Sequence, residues 1–84
     1  MAGKYTPLEN YLCDLRVNQS EVTLSFEQIE RILNDKLPPS AYQYRAWWEN
    51  EVEGSHIQAR AWMDAGWKVE TVQRREEWAR FVRQ

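Results

Sequence analysis

The sequence is poor in the residues from which many small proteins build their sites, with one cysteine, one histidine, three glycines and three prolines. A lone cysteine, Cys13, excludes an internal disulfide and a thiolate zinc cluster. No apolar run approaches the roughly 20 residues that a bilayer-spanning helix needs, and the first ten residues resemble no signal peptide. We therefore expect a cytoplasmic protein that does not enter the membrane, with Cys13 buried as a small apolar residue.

Signals of catalysis are also missing. The sequence has no nucleophile elbow, no phosphate-binding loop and no metal-ligand spacing. Cys13 and His56 could form a nucleophile–base pair only across a long separation in the chain. We therefore expect a non-enzymatic protein that needs no cofactor and no metal.

The charge is slightly negative and unevenly spread. The formal net charge is −2, and residues 1–39, with four basic and six acidic side chains, account for all of it. Residues 40–84 carry seven of each sign. This is not the basic composition of a strong nucleic-acid binder, although a local basic patch can still form around Arg74, Arg75, Arg80 and Arg83.

Aromatic residues are what the chain has in abundance, with five tryptophans, four tyrosines and two phenylalanines. A chain this short buries only about 60–65% of its unfolded surface. Large rings compensate, since each can bury roughly 150–250 Å². We expect a core built on Trp48, Trp62 and Trp67, with Trp78 mostly buried and Trp47 partly exposed at the margin.

Four possible capping boxes predict four helix starts, because Ser or Thr at the N-cap and Glu or Gln three residues later satisfy each other's backbone N–H groups. They are "TPLE" at 6–9, "SFEQ" at 25–28, "SAYQ" at 40–43 and "SHIQ" at 55–58. The predicted helices cover residues 7–16, 26–34, 41–50 and 56–65. Gly66 stands where a helix ends, and Ile57, Ala61 and Trp62 should face inward.

The strand signals lie between the first two helices and after Gly66. "EVTLSF" predicts a short strand with Val22 and Leu24 on one side, and "WKVETVQ" and "EWARFVR" predict an antiparallel hairpin. Val69 and Val72 can share a face of that hairpin only through a β-bulge. The sequence thus predicts one α+β domain over residues 1–84, with four short helices and a C-terminal β-hairpin.

Several stretches resemble a family of small prokaryotic domains of unknown function. They are "KYTPLENYL", "LSFEQIERILNDKLPPSA", "RAWWEN" and "HIQARAWMDAGWKV", which together cover nearly the whole chain. The Trp-Trp-x-Asn and Gln-Ala-x-Ala-Trp-x-x-Ala-Gly-Trp elements are the specific ones. The family has no assigned activity, so the resemblance implies no catalytic residues.

The order of elements favours nucleic-acid binding. A helix, a proline-containing turn, a second helix and a later hairpin resemble a winged helix-turn-helix, in which the second helix enters the major groove. The predicted fourth helix is an addition to that order. Tyr42, Gln43 and Arg45 would lie on the groove-facing helix, and Arg74 and Arg75 would contact phosphates from the hairpin turn.

The alternative is a protein-interaction or regulatory module. Trp47, Asn50, His56 and Gln58 would form an aromatic and polar surface of the kind that is favoured at interaction hot spots. The negative net charge fits a protein partner better than DNA. The sequence leaves both interpretations open.

Overall fold

A computed structural model of the chain describes residues 3–51 and 57–84. Its elements are helix α1 (Thr6–Cys13), strand β1 (Glu21–Ser25), helix α2 (Phe26–Leu33), helix α3 (Pro39–Gln43), a 3₁₀ turn (Arg45–Trp48), helix α4 (Ile57–Asp64), and strands β2 (Trp67–Gln73) and β3 (Trp78–Arg83). The predicted α+β class is confirmed, with four α-helices and one three-stranded antiparallel sheet in the described ranges. None of these helices is long and apolar enough to cross a membrane.

The sheet has the strand order β1-β3-β2, so the last strand is central and the other two are edges. Leu24 lies opposite Ala79 and Val69 lies opposite Phe81, and all four are buried. The register shifts between Val69 and Thr71, which is the bulge that the spacing of Val69 and Val72 requires. The predicted third strand at residues 22–24 is confirmed.

The helix starts agree only partly with the capping-box pattern. At α2 the box is complete, because Ser25 Oγ accepts from Gln28 N at 3.0 Å and Gln28 Oε1 accepts from Ser25 N at 2.8 Å. The boxes predicted for α1 and α3 were wrong, since these helices begin after Tyr5 and Pro38 with no side-chain cap. The box at residues 55–58 lies partly outside the described residues.

The third predicted helix was also wrong in length, because α3 ends at Gln43 and the chain is extended at Tyr44 (φ −127°, ψ 123°). Tertiary bonds replace the helical ones at this point. The Ala41 carbonyl accepts from the Trp48 indole at 2.9 Å, and the Gln43 carbonyl accepts from Arg74 Nη1 at 2.9 Å. In a continuous helix these carbonyls would accept from backbone N–H groups four residues later.

Aromatic rings in contact with one another form the centre of the core, and we call them the tryptophan cluster (Phe26, Trp47, Trp48, Trp62 and Phe81). Trp48 lies between Phe26 and Trp62, with ring centroids 4.9 Å and 6.1 Å away and planes nearly parallel. Trp62 meets Phe81 edge to face at 5.7 Å. Trp48, Trp62 and Trp67 are each at most 2% exposed, so the predicted core is confirmed.

Two predicted burials were wrong. Cys13 is exposed, because Leu8 and Leu12 take the inward face of the short helix α1 and the next residue is turned away from it. Ile57 is 63% exposed, because α4 faces the core with its neighbour Gln58 and with Trp62. Gly66 does follow the end of α4, with a left-handed φ of 87°.

Candidate functional site

Asn50, predicted as part of a partner-binding surface, connects the tryptophan cluster to the edge of the sheet. Its Oδ1 accepts from Val69 N at 2.8 Å and from Trp62 Nε1 at 2.9 Å. Its Nδ2 donates to Val69 O at 2.8 Å. The Asn50 side chain thus pairs with the backbone N–H and C=O of Val69, as a neighbouring strand would. All three of its hydrogen bonds are to groups within the protein.

Two further members of that predicted surface, Gln58 and Trp47, contact residues of the tryptophan cluster. Gln58 is 6% exposed, and its Nε2 donates to the Trp47 carbonyl at 3.0 Å. Trp47 is half-buried and contacts Tyr5 and Trp48 edge to face, at 5.9 Å and 4.7 Å. His56 lies outside the described residues. Of the described members, Asn50 is exposed although its amide is engaged in internal bonds, and Trp47 is half-buried.

Tyr42, predicted to lie in the DNA groove, is half-buried and tied to α2. Its hydroxyl donates to Glu30 Oε2 at 2.8 Å, and its ring packs edge to face on Phe26 at 5.1 Å. Burial, followed by the hydrogen bond to Glu30 and the charge of that carboxylate, raises the pKa of Tyr42 to about 12. The phenol therefore stays protonated and serves to hold α3 against α2.

Glu30 accepts a second hydrogen bond, from Leu37 N at 2.9 Å. Burial alone would raise the pKa of Glu30, but the bonds from Leu37 and Tyr42 and the charge of Lys36 lower it below 4.5. One carboxylate thus fixes both the turn after α2 and the start of α3. This role of Glu30 was not predictable, because "NDKLPPSA" shows where the helix stops and not which side chain holds the turn.

Beside Tyr42 is a cleft of about 530 Å³ between α3, the 3₁₀ turn and the hairpin turn. We call it the arginine cleft. Its lining side chains are Tyr42, Arg45, Val72, Gln73, Arg74 and Arg75. This set brings together four of the five residues predicted to bind nucleic acid, and it contains three arginines and no acidic residue.

The three arginines of the cleft are held differently. Arg74 donates to the Gln43 carbonyl and so joins the hairpin turn to the end of α3. Arg45 and Arg75 are exposed, and neither makes a hydrogen bond or ion pair with any residue in the described ranges. Gln43 contributes its carbonyl to Arg74 and has an exposed side chain. Two guanidinium groups therefore remain available to an anion.

The remaining arginines of the C-terminal half differ from these two. Arg83 donates to the carbonyls of Gln19 and Arg16, at 3.0 Å and 2.9 Å, and its guanidinium lies 4.4 Å from the Trp67 ring centroid. Arg80 donates to Thr23 Oγ1 at 3.2 Å and lies 3.8 Å from Glu70. Of the basic patch considered from the sequence, Arg74 and Arg75 at the hairpin turn line the cleft. Arg45 joins them there.

No group of three or more His, Cys, Asp or Glu side chains in the described ranges is arranged to hold a metal ion. The exposed ring of Tyr44 was not predicted, because a continuous helix through residues 41–50 would have placed Tyr44 on the same apolar face as Ala41 and Trp48. In the structure Tyr44 is 61% exposed at the break that follows α3.

Comparison with known proteins gives one match. The sequence model of a family described as "Domain of unknown function (DUF7662)" matches residues 5–84. This agrees with the resemblance to a domain family of unknown function. No curated protein and no solved structure matches the chain.

Proposed function

Because the chain belongs to the DUF7662 family, whose function is unknown, we infer its role from its own geometry. We propose that it is a non-enzymatic module that binds nucleic acid in the arginine cleft. The observation that carries this proposal is the meeting of Arg45, Arg74 and Arg75 around one cavity without an acidic side chain in its lining. Phosphate oxygens are the ligands that guanidinium groups recognise best, often through two parallel hydrogen bonds.

The size and setting of the cleft support the same conclusion. A volume of about 530 Å³ is within the range of roughly 300–1,000 Å³ that small-molecule sites occupy, so it can receive a nucleotide-sized group. The net charge of −2 keeps the rest of the surface from attracting polyanions strongly. Binding would therefore be local to the cleft.

The proposal keeps the wing of the winged helix-turn-helix prediction and changes the role of its helix. The turn between β2 and β3 supplies Arg74 and Arg75, as a phosphate-contacting wing would. Helix α3, with five residues, is too short to follow a major groove, and Tyr42 is bonded to Glu30. In this proposal, α3 and the residues after it position Arg45 opposite the turn between β2 and β3.

A protein partner on Trp47, Asn50, His56 and Gln58 has less support. The side-chain amides of Asn50 and Gln58 are engaged in internal bonds, and Gln58 is buried. Hot-spot residues need accessible groups that become buried on binding. We therefore give precedence to the arginine cleft.

The test is fluorescence anisotropy with pooled labelled oligonucleotides, both single-stranded and duplex, at low salt. Nonspecific nucleic-acid binders reach dissociation constants of roughly 10⁻⁴–10⁻⁶ M at physiological salt, so binding should be visible by about 100 µM protein. The Arg45→Ala/Arg75→Ala variant should bind more weakly. Arg60→Ala, which removes a cation on α4, is the control and should bind like the wild type. Absence of binding to every oligonucleotide would refute the proposal.

A further inference from the structure

The break between α3 and the 3₁₀ turn exposes a large ring on the residue that precedes Arg45. This ring lines a second cavity, of about 400 Å³, with Ser40, Ala46, Trp47 and Gln58. Tyr44 is extended and 61% exposed, and its ring makes no aromatic contact with the described residues. Its chain neighbours are Gln43, whose carbonyl is bonded to Arg74, and Arg45, which lines the cleft. An exposed aromatic side chain thus lies on the residue that precedes Arg45, one of the two unpaired arginines of the arginine cleft, and a ligand that fills both cavities would contact both side chains.

The backbone around Tyr44 is anchored on both sides. The Trp48 indole holds the Ala41 carbonyl, and Arg74 holds the Gln43 carbonyl. After Tyr44, its own carbonyl accepts from Trp47 N at 3.2 Å. Because the backbone is already fixed, only the side-chain torsions of Tyr44 have to be restricted when a flat ligand stacks on the ring.

The same break removes the means of reading duplex DNA. A recognition helix presents several consecutive turns to the major groove, whereas α3 has five residues and then the chain becomes extended. Duplex binding also relies on many phosphate contacts, but the cleft offers only three arginines and the chain has a net charge of −2. A ligand held by few phosphates needs a second source of affinity, and base stacking supplies one.

We propose that the ligand of the arginine cleft is single-stranded nucleic acid, with phosphates on Arg45 and Arg75 and an unpaired base stacked on Tyr44. This inference rests on the proposed function and specifies its ligand. Stacking requires a base face that is free, which a duplex does not offer within its helix. The shared chemistry is a phosphodiester strand with accessible bases, and it is common to DNA and RNA.

The experiment compares the wild type and three variants by fluorescence anisotropy, on single-stranded DNA, single-stranded RNA and duplex DNA of the same length. Tyr44→Ala should weaken binding to a single strand by roughly 5- to 150-fold, the range of one base–aromatic stack. Tyr44→Trp should bind at least as well as the wild type, because the larger ring stacks better. Ile57→Ala, which removes another exposed apolar side chain on α4, is the matched control and should change nothing.

The outcomes separate this inference from the proposed function. A preference for single strands that Tyr44→Ala abolishes and Tyr44→Trp preserves supports the inference, and the DNA and RNA arms show which strand is preferred. Equal binding of duplex and single strand, or binding that is indifferent to Tyr44→Ala, refutes the inference while nucleic-acid binding stands. No binding of the wild type to any of the three oligonucleotides refutes the proposed function itself. Circular dichroism of each variant verifies that the fold is intact.

Discussion

Two neighbouring regions of this molecule use their polar groups in opposite ways. In the tryptophan cluster the polar groups are used internally: the indoles of Trp48 and Trp62 donate to Ala41 and Asn50, and Asn50 makes three bonds. In the arginine cleft, Arg45 and Arg75 have no partner in the described ranges. Internal bonds of this kind hold a fold together, whereas the exposed guanidinium groups of the cleft are the ones that our proposal assigns to a ligand.

The difference shows that residue type alone is a poor guide to role. Tryptophan and asparagine are frequent at binding surfaces, yet here Trp62 and Asn50 stabilise the core. Conversely, the hairpin turn carries Glu76 and Glu77 beside two arginines and has an unremarkable composition, but folding brings Arg45 to it. Substitutions in the two regions should therefore have separable consequences, one on stability and the other on binding.

The largest effect should come from Trp62→Ala. The ring is fully buried between Trp48 and Phe81, so its removal should lower the free energy of unfolding by about 3–5 kcal/mol. This is a large part of the about 5–15 kcal/mol that a domain usually has. Urea denaturation followed by circular dichroism measures it. A loss below about 1 kcal/mol would contradict the assignment of Trp62 to the core.

Asn50→Ala should come next, with a loss of about 1–3 kcal/mol, because it leaves the Trp62 indole and both backbone groups of Val69 without their partner. It also uncovers the outer edge of β2, so size-exclusion chromatography should show more self-association. Asn50→Asp is the matched variant, since it keeps the acceptor for Trp62 but loses the donor to Val69 O. Equal stability of Asn50→Ala and the wild type would show that water replaces these bonds.

The double variant Arg45→Ala/Arg75→Ala should weaken binding and leave the stability almost unchanged. Both side chains are exposed without partners in the described ranges, so the free energy of unfolding should stay within about 0.5 kcal/mol of the wild type. The slope of log affinity against log salt for a single strand should become shallower by roughly 1.4 units, because each phosphate contact contributes about 0.7. Anisotropy titrations at several salt concentrations give this slope. An unchanged slope combined with lost stability would reverse the roles assigned to the two regions.

The smallest effect should be on the pH dependence of stability at Tyr42, which lies on the boundary between the regions. Burial, the hydrogen bond to Glu30 and its charge raise the Tyr42 pKa from 10.0 to about 12. A raised pKa means that the folded protein favours the protonated phenol, so this contribution to stability is complete below pH 10 and is lost as the pH rises toward 12. Urea midpoints across this interval should fall more steeply for the wild type than for Tyr42→Phe.

Glu30 should make the stability depend on pH at the acidic end of the same measurement. Its pKa is lowered below 4.5, so its contribution is present above pH 4.5 and is lost as the pH falls further. Glu30→Gln should remove this loss of stability at acidic pH. Parallel curves for the variants and the wild type at both extremes would show that the bond between Tyr42 and Glu30 contributes nothing measurable.

The parts of the fold that local rules determine were predictable from the sequence. The capping box at Ser25, the bulge near Val69 and the glycine after α4 each follow from neighbouring residues. The break at Tyr44 was not predictable, because hydrogen bonds from the side chains of Trp48 and of Arg74, which is 31 residues away from Gln43, replace the helical bonds of α3. Helical periodicity alone cannot reveal that side-chain hydrogen bonds will replace the helical ones.

Most residues of the candidate site could be predicted from the sequence, but how they are arranged could not. Arg45, Arg74 and Arg75 were expected to bind nucleic acid together, and the structure brings them to one cleft. The role of Asn50 could not be read, since a polar residue after two tryptophans suits a surface as well as an internal bond. Tyr44 was missed for the same reason as the helix break, because its exposure is a consequence of that break.

The central claim, that the tryptophan cluster holds the fold and the arginine cleft binds the ligand, is tested most directly by one NMR titration. ¹H–¹⁵N spectra would follow the tryptophan indole and arginine Nε–H signals while a single-stranded oligonucleotide is added. We expect the signals of Arg45, Arg74 and Arg75 to shift, and the indole signals of Trp48 and Trp62 to stay in place. Shifts of those indoles with unmoved arginine signals would contradict the claim.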